Sequence, residues 1–166
     1  LVATAVLSHP GRSVTEKLIE EKIGFYLDYL RSKECHLSEP LQKFRKNAIR
    51  ESLKNYVQNN LLEEKVEEEG PLYRVKEENR SQLDYYKNNS IHFLVSLGVF
   101  ATLLQISEGE EIPLRKIEED YGFLQNLFQY EFTFSRRQSL KSHLEKLIRF
   151  LERIKILTEH EGALKL

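Results

Sequence analysis

The stretch Leu83 to Ile106, LDYYKNNSIHFLVSLGVFATLLQI, decides how the rest of the chain is read. From Ile91 to Ile106 it carries no formal charge with His92 neutral, so it is a core helix, a helix lying against a membrane or a short spanning segment. Crossing a bilayer takes about 20 apolar residues, and a shorter run is more often a buried helix. Phe93, Leu94, Val95, Leu97, Val99, Phe100, Leu103 and Leu104 go round all sides of it, the pattern of a helix covered everywhere. The run is therefore read as the central helix of the protein, capped at Asn88, Asn89 or Ser90.

Composition bounds what surrounds it. The 166 residues are 40% hydrophobic and 10% aromatic, enough for one domain or two small ones with a real core. Lys and Arg number 25 against 26 Asp and Glu, so no overall field draws in nucleic acid or an anionic membrane without local clustering. The single cysteine, Cys35, excludes an internal disulfide and a Cys-rich metal site, and the reducing cytoplasm is the default. The chain begins at Leu1 with helix-like LVATAVL and no basic leader segment, and so reads as a piece of something longer.

Outward from the central run, the halves share an order of elements. Leu1 to Ser8 is a helix end stopped by Pro10-Gly11. Ser13, with Glu16 three residues on, predicts a capping box and a second helix from about Val14. Pro40 to Asn59 predicts a third helix with Phe44, Ala48, Leu53, Tyr56 and Val57 inward, and a hairpin follows about Glu69-Gly70-Pro71. After the central helix, Pro113 to Phe128 predicts a helix with Pro at its first position, Tyr130 to Phe134 alternates like a strand, and Ser139 to Ile154 is strongly amphipathic. The last residues predict a second hairpin at Glu161-Gly162.

IEEKIGFYLDYL from Ile19 lies over IEEDYGFLQNLF from Ile117, and Leu53, Tyr56 and Val57 lie over Leu147, Phe150 and Leu151, a repeat signal. The expected fold is mainly α: two winged-helix-like units, residues 1–80 and 81–166, each of three helices and a short β-hairpin, packed around the central apolar helix as one compact domain.

Motifs of catalysis are missing. There is no phosphate-binding glycine loop, HExxH, CxxC or GxSxG. The five histidines, His9, His36, His92, His143 and His160, lack metal-ligand spacing. No metal site and no cofactor are expected. The third helices are basic: Lys43, Arg45, Lys46, Arg50 and Lys54 in one, Arg136, Arg137, Lys141, Lys146, Arg149 and Arg153 in the other. Such a face suits lipid, phosphate or nucleic acid, or is a solvated surface balanced by acids. Glu63, Glu64 and Glu67 to Glu69 would set a negative hairpin beside the first.

Three stretches carry a family resemblance. In LDYYKNNSIHFLV the Leu83, Tyr85, Tyr86, Asn88 and His92 positions resemble the C-terminal region of the glycerol-3-phosphate and dihydroxyacetone phosphate acyltransferases, and LVATAVLSHPGRSVTEKLIEE and FQYEFTF look like further stretches of it. The resemblance implies an accessory region of a membrane-associated enzyme that moves an acyl group from acyl-CoA or acyl carrier protein to glycerol 3-phosphate, the first step of phospholipid synthesis. That chemistry rests on His-x4-Asp, in which the acid orients the histidine as general base. Here the fifth residue after each histidine is Val14, Leu41, Leu97, Ile148 or Lys165. No catalytic residue carries over, and the fragment is expected to be inactive.

The implied partners are an N-terminal acyltransferase domain and an anionic membrane surface, with a peripheral location on the cytoplasmic side. Asn88 and His92 are expected to be a cap and a buried hydrogen-bonded imidazole. The alternative is a tandem winged-helix module that binds DNA or protein.

Overall fold

The computed structural model describes residues 1–68, 70–107, 110–134 and 139–166. The fold is mainly helical with small antiparallel sheets, and it divides into two compact units, Leu1–Ile91 and His92–Leu166. The division falls inside one continuous helix, eleven residues beyond the 80/81 boundary expected from sequence.

The first unit begins with α1 (Val2–Leu7), β1 (Ser13–Thr15) and α2 (Glu16–Ser32). Ser13 does not cap α2. It starts the short strand, and Thr15 takes the capping role, its hydroxyl accepting from the Leu18 amide at 3.3 Å. Both hydroxyl residues are good N-caps, and pairing of residues 13–15 with a later strand decides between them. From that start Ile19, Ile23, Leu27 and Leu30 fall on one buried face of α2.

The single helix expected from Pro40 to Asn59 is two helices, α3 (Glu39–Lys43) and α4 (Arg45–Gln58). The chain leaves helical geometry at Phe44, at φ −130° and ψ 42°, and the phenyl ring is exposed instead of inward. No feature of the sequence accounts for this break. Further along α4, Ile49 and Leu53 are fully buried. β2 (Leu62–Glu67) and β3 (Gly70–Val75) form the expected hairpin, although Glu69 lies outside the described residues. β3 lies between β1 and β2, and Tyr73 on it is buried with its hydroxyl donating to Glu64 Oε1 at 3.0 Å.

A 3-10 turn, Glu77–Asn79, leads into α5 (Arg80–Ile106). α5 begins too early for Asn88, Asn89 or Ser90 to cap it. Those residues are interior to the helix, because no proline or glycine stands between Arg80 and Gly98. Leu83 joins the core formed by Ala5, Ile23, Ile49 and Leu53. Ser90 instead meets α1, its hydroxyl 2.9 Å from Thr4 Oγ1.

The second unit holds the rest of α5, then β4 (Ile112–Pro113), α6 (Leu114–Leu127), α7 (Leu140–Arg153), β5 (Thr158–His160) and β6 (Ala163–Lys165). β6 lies between β4 and β5, the same arrangement as β3 in the first sheet. Pro113 sits one residue before α6, not at its first position. The expected strand at Tyr130 to Phe134 is a turn. The Glu131 and Phe132 amides both donate to the Phe128 carbonyl, at 3.0 and 2.9 Å, and this ties the segment to the end of α6. Glu161 and Gly162 turn the final hairpin at φ 48° and 77°, the left-handed pair that a two-residue hairpin turn demands.

α5 is not covered on every side. Leu94, Val95, Leu97, Phe100 and Leu104 are buried, whereas Gly98, Ala101, Thr102, Gln105 and Ile106 recur at three- and four-residue spacing and are exposed. The small and polar members of that stripe explain the open face. Residues 77–106 form a helical stretch long and apolar enough to cross a bilayer, and 39% of its most apolar window is buried.

The internal repeat gains a firmer register. Gly24 and Gly122 each face the first residue of the following long helix: an added Cβ would stand 3.5 Å from Arg45 Nη1 in one unit and 3.2 Å from Leu140 Cδ2 in the other. At the far ends, Asn60 and Lys155 adopt φ 61° and 59° and close the helices with matching pairs of hydrogen bonds. That closure satisfies the last carbonyls of each helix. These landmarks match Leu53 with Ile148 and Tyr56 with Leu151, one residue away from the pairing the apolar pattern suggests. Adjacent apolar residues, Leu147-Ile148 and Phe150-Leu151, made both registers look alike.

Tyr73 supplies a pH prediction. Burial, and then the hydrogen bond to Glu64, push its phenol well above the ordinary value of 10.0. Below about pH 10 both folded and unfolded chains keep the proton. Above it the unfolded chain loses the proton first, so this contribution to stability falls as pH rises toward the folded-state value. Urea unfolding between pH 8 and 11 should show a smaller alkaline loss of stability in Tyr73→Phe than in the wild type, and equal slopes would contradict the assignment.

Candidate functional site

The residues singled out on α5 do not converge on one site. Leu83 is fully buried core, while Tyr85 and Tyr86 are 68% and 46% exposed. Tyr86 packs its ring 5.4 Å from that of Tyr56, whose hydroxyl is shifted upward by burial and then by Tyr86. Asn88 is exposed mid-helix and caps nothing. His92 is also exposed, contrary to the buried imidazole expected, with its ring edge-on to Phe132 at 5.8 Å. Tyr85, Tyr86 and Asn88 are thus exposed on the first unit's part of α5, and His92 on the second unit's.

One buried polar chain does occur in the second unit. Tyr121 of α6 is fully buried, with its hydroxyl 3.1 Å from His143 Nε2 on α7. Burial raises the Tyr121 phenol, and a hydrogen bond with the buried Ser96 of α5 opposes that shift. The chain joins three helices, and its role follows from the rule that buried polar groups are paired. Spacing alone assigned His143 no role. The signal it missed is Tyr121 on the buried face of α6, which needs a partner for its hydroxyl. Among the described residues no group of three or more His, Cys, Asp or Glu side chains could hold a metal ion.

The two basic helices differ in how their charge is used. On α4, Arg50 meets Glu16 at 2.6 Å and Lys46 meets Glu20 at 3.7 Å, both acids on α2, and within α3 Lys43 meets Glu39 at 2.7 Å. On α7, Lys141, Lys146, Arg149 and Arg153 are exposed, and among the described residues no carboxylate lies within ion-pair distance of them. Arg153 rests over the Phe150 ring at 5.5 Å. Arg136 and Arg137 lie outside the described residues. Between α6 and α7 a groove of about 330 Å³ has Leu114, Ile117, Leu144 and Ile148 on its floor and Lys141, Arg149, Glu118, Glu145 and Glu159 at its edges.

The family model for the glycerol-3-phosphate acyltransferase C-terminal region matches residues 1–165. The chain belongs to that family. No solved structure matches it. The acyltransferase C-terminal region therefore covers both units and all of α5, so the helices, hairpins and exposed surfaces above are parts of one family element. Large apolar side chains on its surface include Phe93 and Ile106 of α5 and Phe123, Leu127 and Tyr130 at and beyond the end of α6. Phe123 and Leu127, four residues apart, share a face of α6, and Tyr130 follows in the turn beyond it.

Proposed function

We propose that this chain is the non-catalytic C-terminal accessory domain of a membrane-associated glycerol-3-phosphate acyltransferase. The match of the family model to residues 1–165 carries this reading, and the absence of His-x4-Asp at all five histidines gives the domain its non-catalytic role. The enzyme's own N-terminal acyltransferase domain is the partner. It transfers the acyl group from acyl-CoA or acyl carrier protein, and the accessory domain stabilises it and helps hold it, peripherally, on the cytoplasmic side of a membrane.

Two surfaces support these roles. Exposed Phe123 and Leu127 on α6, with Tyr130 in the turn after it, are apolar area that a partner would remove from water. The exposed cations of α7, lacking carboxylate partners among the described residues, suit an anionic lipid surface. In each unit the order helix, strand, helices and hairpin, with the first strand against the last, supports a winged-helix reading. A tandem winged-helix module for DNA or another protein is the rival function. It is less favoured because Glu20 and Glu16 already pair with Lys46 and Arg50, two of the cations of α4.

The test is acyl transfer by the purified 166-residue chain, with acyl-CoA or acyl carrier protein as donor and glycerol 3-phosphate as acceptor. No product is expected, and turnover would overturn the non-catalytic role. With anionic vesicles, binding should be released by high salt. Retention through high salt and alkali would instead make α5 an integral span.

A further inference from the structure

The break between α3 and α4 builds a feature that the accessory-domain reading does not use. Were residues 39–58 one helix, consecutive side chains would fan out at about 100° intervals. The turn at Phe44 instead lets Leu41, Gln42, Lys43, Phe44, Arg45, Lys46 and Asn47 line one recess, together with Arg31 from the end of α2. Its volume is about 420 Å³. Four of its lining residues are cationic and none is acidic.

Three of those cations hold a carboxylate that does not line the recess: Arg31 to Asp28 at 3.0 Å, Lys43 to Glu39 at 2.7 Å and Lys46 to Glu20 at 3.7 Å. The first two are solvent-exposed pairs, weak and readily rearranged, and the third is long at 3.7 Å with Glu20 largely buried. Arg45 is half-buried and has no carboxylate within ion-pair distance among the described residues. The helix that starts here adds to the positive field, since Phe44 has no side-chain oxygen to cap α4 and its first turn contains no acid. The recess has four cationic lining residues and no acidic one, and an anion with several acceptor oxygens takes forked bonds from arginine.

We infer that the recess lined by Arg31, Lys43, Arg45 and Lys46 binds the phosphate of a phosphomonoester. Two sources share that chemistry, a free phosphate ester and the headgroup of a phosphatidic acid. Phe44 and Leu41 beside the cations give an apolar edge that either a lipid or the carbon skeleton of a soluble ester could meet.

The test titrates the whole 166-residue chain with inorganic phosphate at constant ionic strength, following backbone amide shifts. A parallel arm measures co-sedimentation with phosphatidylcholine vesicles, with and without phosphatidic acid. Wild type should show saturable shifts centred on residues 43–47, or phosphatidic acid-dependent sedimentation. Arg45→Gln and the double variant K43Q/K46Q should each weaken the response at least tenfold. Lys43 and Lys46 are exposed, so the double variant keeps the test sound if Arg45→Gln fails to fold by circular dichroism.

Saturation by free phosphate assigns a soluble ester, and a response confined to phosphatidic acid vesicles assigns a headgroup. No response in either arm, or a folded variant that responds as the wild type does, would overturn the site. Neither result bears on acyl transfer, so the accessory-domain reading stands or falls separately.

Discussion

Phe100→Ala is expected to cost about 3–5 kcal/mol of unfolding free energy, the range for deleting a buried phenyl ring. The ring is fully buried in α5, on the face shared with Leu97 and Leu104. Its removal forfeits apolar burial and leaves a cavity that a helix cannot collapse to fill. Phe93 lies on the same helix and is 53% exposed. Phe93→Ala should therefore stay within about 0.5 kcal/mol, as surface changes do. Chemical denaturation of the two variants separates a core helix from one that faces lipid along its length. Similar costs for both would contradict the burial pattern of α5.

Leu83→Ala is expected to have the next largest effect, about 2–5 kcal/mol. Leu83 is fully buried in the first unit's core, beside the cluster that includes Ile23, Ile49 and Leu53. The change should lower the midpoint of the first unit's unfolding in urea. Tyr85→Ala, by contrast, removes a side chain that is 68% exposed and should move the midpoint little. The pair distinguishes two residues that looked alike as members of one sequence motif. If Leu83→Ala were silent and Tyr85→Ala costly, the motif would be a docking surface at both positions and the packing described for α5 would be wrong.

Much of the fold was legible because its strongest signals are local. The hydroxyl-to-Glu16 capping pattern made the start of α2 readable within a few residues, and Glu161-Gly162 made the last hairpin readable, since left-handed geometry favours glycine there. Features that depend on distant partners were not legible. Ser13 and Thr15 are comparable caps, and only the pairing of Ser13 with Arg74 across the sheet makes Thr15 the cap. The exposure of Phe44 depends on a helix break that no proline or glycine announces.

The candidate site was legible only in outline. Tyr85, Asn88 and His92 are exposed on α5, and spacing alone could not tell an interior helical asparagine from a cap. Basic residues on both third helices were visible, whereas the division between paired cations on α4 and the others on α7 required the positions of Glu16 and Glu20 on α2. The register of the repeat had the same difficulty. Leu147 and Ile148 are both apolar and both buried, so backbone landmarks had to choose between them.

The accessory role is tested most directly by heat inactivation of acyl transfer to glycerol 3-phosphate. The N-terminal acyltransferase domain is assayed alone, then with this chain supplied as a separate polypeptide. The account predicts no turnover by the chain alone and a longer half-life of activity for the domain when the chain is present. Turnover by the chain alone, or an unchanged half-life in its presence, would contradict it.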